Sequence, residues 1–312
     1  MLKLVGRFIF MSTLLYYNEP AMTATQLTQK LQSDGLHISD VVRAERYMQT
    51  IGYFRLKAYM FPFLAIPKIQ HKFKNGTSFD NVLMLYRFDK KLRLLIFNEI
   101  EKIEVALRCA IVNIISDQLG SVFWMTEPQH FASANRFQQS VNLIQNELSH
   151  SREDFIVQFR RQYSNPFPPS WILAEILPLG VLTNIFANLK SASIQKAVAQ
   201  AFNLSLPLFT SWLTTITLTR NACCHHARVW NKDNSIVPAM PRKTMSGSWV
   251  SVIPDISRVY CNLCVIRYML DAISPNNDMT DKLQQLFADF PEVDIAAMGF
   301  PLNWQNEPLW AK

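Results

Sequence analysis

The densest set of chemically active side chains lies between Thr219 and Asn231, directly after an apolar, helix-like stretch over residues 208–218. The polar members of this segment are Arg220, Asn221, His225, His226 and Arg228. Histidine has an unperturbed pKa of about 6.5, so it suits a general base or a general acid near neutral pH. Arginine keeps its charge and binds phosphate oxygens with a forked guanidinium. The pair Arg220 and His225, spaced R-x4-H, is therefore typical of a site that cleaves phosphodiesters.

The residue types also indicate which phosphodiester such a site would cut. Cleavage of RNA through the ribose 2′-OH needs a base for that proton, an acid for the departing 5′-oxygen and a cation beside the non-bridging oxygens. The segment offers imidazoles and guanidinium groups, but no carboxylate cluster of the kind that holds Mg²⁺. We therefore expect metal-independent cleavage without a cofactor, which leaves a 2′,3′-cyclic phosphate and a 5′-OH.

The same segment resembles a known family signature. Its order of residues is similar to the RN-x3-HH-x-R-x-WN pattern of the Abi-like family of bacterial abortive-infection proteins, which ends here at Trp230-Asn231. One position departs, because Cys224 stands where the family usually has alanine before the double histidine. The resemblance runs from Tyr16 to Trp310. Its further segments are 51–59, 86–108, 168–175 and 298–304.

This resemblance implies a function and partners. The Abi-like family belongs to the wider HEPN class, in which an R-x4-6-H motif carries RNase activity in many members. The implied activity is a toxin-like endoribonuclease of anti-phage defence. The resemblance also implies a homodimer, because HEPN proteins often build composite sites across a dimer. Family members are often encoded beside a structured small RNA, so a regulatory RNA partner is implied as well.

The residue roles follow from this combined interpretation. Arg220 binds the phosphate, His225 acts as acid and base, and Asn221 and His226 orient or supplement it. Arg228 holds flanking RNA. Further RNA contacts are predicted for basic residues elsewhere in the chain, namely Lys57, Arg160 and Arg161. The alternative function is a non-catalytic RNA-binding or regulatory module that uses the same groove, and the intact Arg220 and His225 favour the enzyme.

A single copy of the motif is an incomplete site. On an ideal helix the side chains of Arg220 and His225 point about 140° apart, whereas Asn221 and His225 share a face. Arg108 has no histidine five or six residues later, so the chain holds no second R-x4-6-H site. Two chains that face each other across a two-fold axis would supply a fuller set of groups.

Zinc is the main competing chemistry for the motif. Cys223 and Cys224 precede the two histidines, and Cys261-x2-Cys264 has the spacing of a metal knuckle. However, four adjacent helical residues point in four directions, and the second cysteine pair lies within an amphipathic helical pattern. We therefore expect buried thiols and no metal.

Composition favours an all-α protein that binds polyanions. The chain has 31 basic and 24 acidic residues, a net charge of +7, and only 8 glycines among 312 residues. We expect an HEPN-like helical bundle with an N-terminal helical extension. Five cysteines do not form a disulfide framework in a chain of this length, so a cytoplasmic location is expected. No run of about 20 apolar residues occurs, so no membrane span is expected.

The pattern along the chain predicts four parts. They are a loose N-terminal arm (1–15), an N-terminal helical subdomain (16–78), the bundle (79–273) and a C-terminal segment that packs on the bundle (274–312). Because the resemblance begins near Tyr16, Met11 is a candidate for the true start. The spine of the bundle is a long helix over 79–118, with an apolar stripe at Ile96, Ile100, Ile103, Leu107, Ala110 and Ile114.

Two features keep alternative interpretations open. Asp89, Arg93, Glu104 and Arg108 share one side of the long helix, either as a solvated ion-pair ladder or as a partly buried network that supports the motif helix. The aromatic residues Tyr53, Phe54, Tyr59, Phe61 and Phe63 are expected to form the core of the N-terminal subdomain. The alternative is a base-stacking platform, because Arg55 and Lys57 lie among them.

Overall fold

The computed structural model of the chain describes residues 16, 20–241 and 248–311. The protein is all-α, as predicted: 64% of the described residues are helical, and these residues form twelve α-helices and no strand. None of the helices in these ranges is both long and apolar enough to cross a membrane. The predicted arm over 1–15 lies outside the described residues. The helices are α1 Ala24–Ser33, α2 Val41–Thr50, α3 Tyr53–Met60, α4 Phe79–Leu119, α5 Ala134–His150, α6 Asp154–Gln162, α7 Ser170–Ile176, α8 Leu179–Ala187, α9 Ala192–Gln200, α10 Leu206–Cys224, α11 Val259–Ile273 and α12 Met279–Asp289.

The chain divides into two compact units within α4. The first unit ends at Leu83 and the second begins at Met84. In the first unit, α1 begins with a capping box between Thr23 and Gln26. The side chain of Asp40 caps α2 by accepting a hydrogen bond from the backbone N–H of Arg43 at 2.8 Å. These caps fix the starts of both helices.

The aromatic residues of the first unit do not form a single core. Tyr59 is 2% exposed and packs inside, as expected. Phe54 and Phe61 are 88% and 53% exposed, so their assignment to the core is wrong. The reason is helical geometry, because Leu56, Tyr59 and Met60 occupy the buried side of α3 and Phe54 points away from it.

The long helix α4 is the spine of the second unit. Ile96, Ile100, Ile103 and Leu107 are completely buried, as the spacing predicts. Beyond Leu107 the buried stripe continues through Ile111 and Ile115, not through Ala110 and Ile114 as expected. A helix with 3.6 residues per turn can continue a stripe by steps of three or four, and here the four-residue steps continue it.

The C-terminal segment covers α11, which is buried from Val259 to Leu270. The ring of Tyr260 on α11 lies 4.6 Å from that of Phe300 and 6.2 Å from that of Trp310, centroid to centroid. Because α11 is enclosed in this way, it is a core helix of the bundle.

Candidate active site

The motif lies where α10 ends. The helix ends at Cys224, and His225 is the cap residue. His226 then adopts a left-handed conformation with φ 55°. The N–H of Ala227 donates to the carbonyl of Ala222 at 2.9 Å, and the N–H of His226 donates to that of Cys223 at 3.1 Å. This pair of bonds is a Schellman motif, in which the left-handed position is normally glycine.

This turn changes the geometry that an unbroken helix would give. Both histidines leave the helix and are exposed, whereas Arg220 and Asn221 remain on its last turns, half-buried. The N–H of His225 donates to the carbonyl of Asn221 at 2.9 Å, so these two residues lie one turn apart as expected. Along the helix axis, five residues separate Arg220 from His225 by about 7.5 Å.

Arg220 is held by an ion pair with α4. Its Nε lies 3.4 Å from Oε2 of Glu104, although the pair lacks hydrogen-bond geometry. Glu104 Oε1 accepts a hydrogen bond of 2.5 Å from Arg108, which also donates to the backbone carbonyls of Ala174 and Leu177. The side chains of Glu104 and Arg108 are 13% and 15% exposed, and that of Arg220 is 31% exposed. The pair Glu104 and Arg108 therefore anchors a guanidinium that still reaches solvent.

The last part of the motif is held by a buried ion pair on α4. Asp89 is completely buried and forms an ion pair with Arg93. Its Oδ1 also accepts hydrogen bonds from the N–H groups of Val229 at 3.1 Å and Trp230 at 2.7 Å. A carboxylate that accepts two backbone N–H groups holds the chain direction after the turn. Asp89 with Arg93 thus forms a buried pair, and Glu104 with Arg108 a partly buried one. Both pairs support the motif, so the solvated ladder is wrong.

The N-terminal end of α11 holds the end of the motif. Arg258 donates a hydrogen bond of 3.1 Å to the side chain of Asn231. The backbone of Asn231 is left-handed, with φ 44°. Asn234 then bonds to Asn262 of α11, and Asn262 donates at 3.1 Å to the hydroxyl of Thr219 on α10. These hydrogen bonds hold residues 231–234 against α11 and connect α11 to α10.

Arg228 lines a separate cavity of about 140 Å³ between α10, the segment after the motif and the start of α11. Lys232 and Asp233 also line it, and Thr219 and Ala222 form its wall on α10. Arg220 instead faces Glu104 of α4. The motif therefore places its two guanidinium groups on different surfaces of α10.

Three of the cysteines considered as metal ligands are buried, namely Cys223, Cys261 and Cys264, whereas Cys224 is partly exposed. Burial raises the pKa of the Cys223 thiol to about 12, although nearby Arg93 opposes this shift. Burial likewise raises the pKa of Cys261 to about 12. Within the described ranges, no group of three or more His, Cys, Asp and Glu side chains is arranged to hold a metal ion. The absence of a cofactor stays a prediction.

Comparison with known proteins decides the family. The model of a family described as Abi-like protein matches residues 46–231, more than half of the chain. The chain belongs to the Abi-like protein family. A search of curated proteins and a search of solved structures each found no match.

The Abi-like match is narrower than the predicted resemblance, but it contains the candidate site. It ends at Asn231, the last residue of the motif, and includes Glu104 and Arg108 on α4. The C-terminal residues 298–304 lie beyond it. Arg258, which bonds to Asn231, also lies beyond it.

The other predicted RNA contacts of this Abi-like protein lie apart from the motif along the chain. Arg160 and Arg161 occupy the last turn of α6 and are exposed. The guanidinium of Arg160 donates to the carbonyl of Leu148 at the end of α5, so part of its function is structural. Lys57 is an exposed residue of α3 in the first unit. The assignment of all three to RNA stays a prediction.

Three supporting residues acquire their roles only in the folded chain. Glu104 and Asp89 bind the motif from α4, and Arg258 binds it from the start of α11. The helical spacing of charges on α4 gave a signal for the first two. No pattern in the sequence connects Arg258 with Asn231.

Proposed function

We propose that this Abi-like protein is a metal-independent endoribonuclease of the HEPN type that acts as a toxin in abortive infection. The observation that supports this most is the fixed, partly exposed Arg220, followed at the end of the same helix by two exposed imidazoles. The abortive-infection role follows from the family. The chemistry follows from the residue types in the motif.

In the proposed reaction, His225 takes the proton from the 2′-OH of the ribose, which then attacks the adjacent phosphorus. The bond to the 5′-oxygen breaks and a histidine returns a proton to that oxygen. Arg220 neutralises the charge that grows on the non-bridging oxygens. Asn221 and His226 orient or supplement His225, and Arg228 binds a neighbouring phosphate.

Glu104 sets the orientation of Arg220 in this scheme. The carboxylate lies between two guanidinium groups, so the cluster of Glu104, Arg108 and Arg220 keeps a net positive charge. Because Glu104 meets Nε of Arg220, the two terminal nitrogens can be directed to a phosphate. A forked guanidinium held in this way loses less side-chain freedom when it binds.

The proposed active form is a homodimer. One chain provides one Arg220 and two imidazoles, and two copies of the motif would complete a site around one phosphate. A mixture of Arg220→Ala and His225→Ala chains should then regain activity through a composite site. A wild-type protein that is active as a monomer by light scattering would contradict the dimer.

The reaction itself is tested by the ends of the products. A short RNA should yield a 2′,3′-cyclic phosphate and a 5′-OH, and a single 2′-deoxy nucleotide at the cut position should stop cleavage. Products with 5′-phosphate ends would contradict the mechanism. RNA that binds but is never cut would favour the non-catalytic module instead.

A further inference from the structure

An exposed aromatic face lies on the first unit, away from the motif in sequence. Phe54 is 88% exposed, Phe61 is 53% exposed, and Lys57 between them is also exposed. Positions 54, 57 and 61 follow the i, i+3, i+7 spacing of one helix face. Phe61 keeps helical backbone angles at the end of α3, so the face continues to it. We call Phe54, Lys57 and Phe61 the aromatic face.

The aromatic face is not needed for packing within its unit. The opposite side of α3 supplies the core, with Leu56, Tyr59 and Met60 between 0% and 2% exposed. Two exposed aromatic rings on one helix face, beside an exposed lysine, make this face a candidate binding surface.

The charged residues of the segment that carries this face are all basic. Residues 51–76 contain five basic residues and no Asp or Glu. The ammonium of Lys68 lies 3.9 Å from the ring centroid of Phe61. Lys72 and Lys74 bond to Asp34 and to the carbonyl of Pro62, whereas Lys57 forms no ion pair within the described part of the chain. Cations beside exposed rings complement a polyanion whose bases have flat faces.

We propose that the aromatic face binds single-stranded RNA, with bases stacked on Phe54 and Phe61 and phosphates beside Lys57 and Lys68. Non-specific single-strand binding combines these two features, aromatic stacking and a basic path for the backbone. Seven residues of helix separate the rings by about 10 Å along the axis, which corresponds to about three steps of a stacked strand. A lysine between the rings disfavours a continuous apolar contact with a protein, and the lipid alternative is decided by the vesicle measurement below.

This inference rests on the proposed function only in taking RNA as the ligand. It assigns a second contact surface on a different unit from the motif. The surface would hold a substrate strand or a regulatory RNA without taking part in cleavage. Its failure can therefore be separated from failure of the proposed nuclease.

The test measures binding by the full chain that carries His225→Ala, so that no RNA is cut. Fluorescence anisotropy with a labelled 12-nucleotide uridine-rich RNA gives the affinity. Phe54→Ala and Phe61→Ala should each weaken binding by about 5- to 150-fold, and Phe54→Trp should retain it. Lys57→Ala should reduce the slope of log affinity against log salt by about 0.7. Val42→Ala, which removes another apolar side chain of the first unit that is 69% exposed, should change nothing.

Unchanged RNA affinity in the Phe54→Ala, Phe61→Ala double variant, with its unfolding curve intact, would overturn the inference. It would also be overturned if these variants lost binding to anionic lipid vesicles but kept RNA. If the wild-type chain cuts no RNA and the double variant still loses binding, the nuclease proposal fails and this inference stands. If the wild-type chain cuts RNA and the double variant binds RNA as tightly as the single His225→Ala chain, the nuclease proposal stands and this inference fails.

Discussion

Arg220 on α10 and Glu104 on α4 meet with Nε and Oε2 3.4 Å apart, although 115 residues separate them along the chain. The same carboxylate is held by Arg108, which also donates to two backbone carbonyls before α8. The position of the Arg220 guanidinium is therefore set by α4. This arrangement makes Glu104 a positioning residue.

Glu104→Gln should lower the rate of RNA cleavage by up to about 100-fold, because a small misplacement of Arg220 weakens contacts made in the transition state. Single-turnover kinetics should show the loss in kcat. The Kd for a non-cleavable 2′-deoxy RNA should change little. Glu101→Gln, at an exposed position of the same helix, is the matched control. Equal effects of both variants, or an effect on Kd alone, would argue against a positioning role.

Asp89→Ala should destabilise the protein by about 3–5 kcal/mol, since it leaves the guanidinium of Arg93 buried without its partner. It also removes the acceptor for the N–H groups of Val229 and Trp230. Urea denaturation gives the change in the free energy of unfolding. The exposed pair of Arg43 and Asp80 is the control, and Asp80→Ala should cost no more than about 1 kcal/mol. Similar costs for the two substitutions would contradict this account.

The His226→Gly variant distinguishes the role of His226 in backbone conformation from the role of its imidazole in cleavage. At φ 55°, glycine removes the strain of a left-handed residue but adds freedom to the unfolded chain, so stability should change by less than about 1 kcal/mol. Cleavage should fall, but by less than in His225→Ala. Thermal unfolding and cleavage rates measured on the same preparations provide the check. A large loss of stability would mean that the imidazole of His226 is mainly structural.

The thiols should differ sharply in reactivity. With a pKa of about 12, only about one in 10⁴ Cys223 side chains is a thiolate at pH 8, and the same holds for Cys261. Cys109 is exposed, so it should be alkylated first. Mass spectrometry of the native protein after brief iodoacetamide treatment measures this order. Rapid labelling of Cys223 would show that the end of α10 opens in solution.

Some of this architecture could be predicted because it follows from local periodicity. The apolar steps from Ile96 to Leu107 identify α4, and the residue types of Arg220 and His225 identify the candidate chemistry. The spacing of the charged residues on α4 also indicated, as one of two interpretations, a network that supports the motif helix. These features depend on residues a few positions apart.

What could not be predicted depends on contacts over long separations or on uncommon backbone angles. A glycine usually marks the left-handed residue that ends a helix, but none is present at the end of α10. Residue propensities therefore do not predict the left-handed conformation of His226, or that both histidines lie outside the helix. The bonds from Asp89 to Trp230 and from Arg258 to Asn231 depend on which helices meet. The exposure of Phe54 depends on the side of α3 that the rest of its unit covers.

Incubation of the purified protein with total RNA in EDTA, beside Arg220→Ala and His225→Ala variants, tests metal-independent cleavage by the motif. We expect the wild-type chain to cleave RNA and each variant to lose about 100-fold or more in rate. His150→Ala and Arg152→Ala replace an exposed histidine and an exposed arginine outside the motif and should retain most activity. Cleavage that requires Mg²⁺, or that survives in the His225→Ala, His226→Ala double variant, would contradict the account.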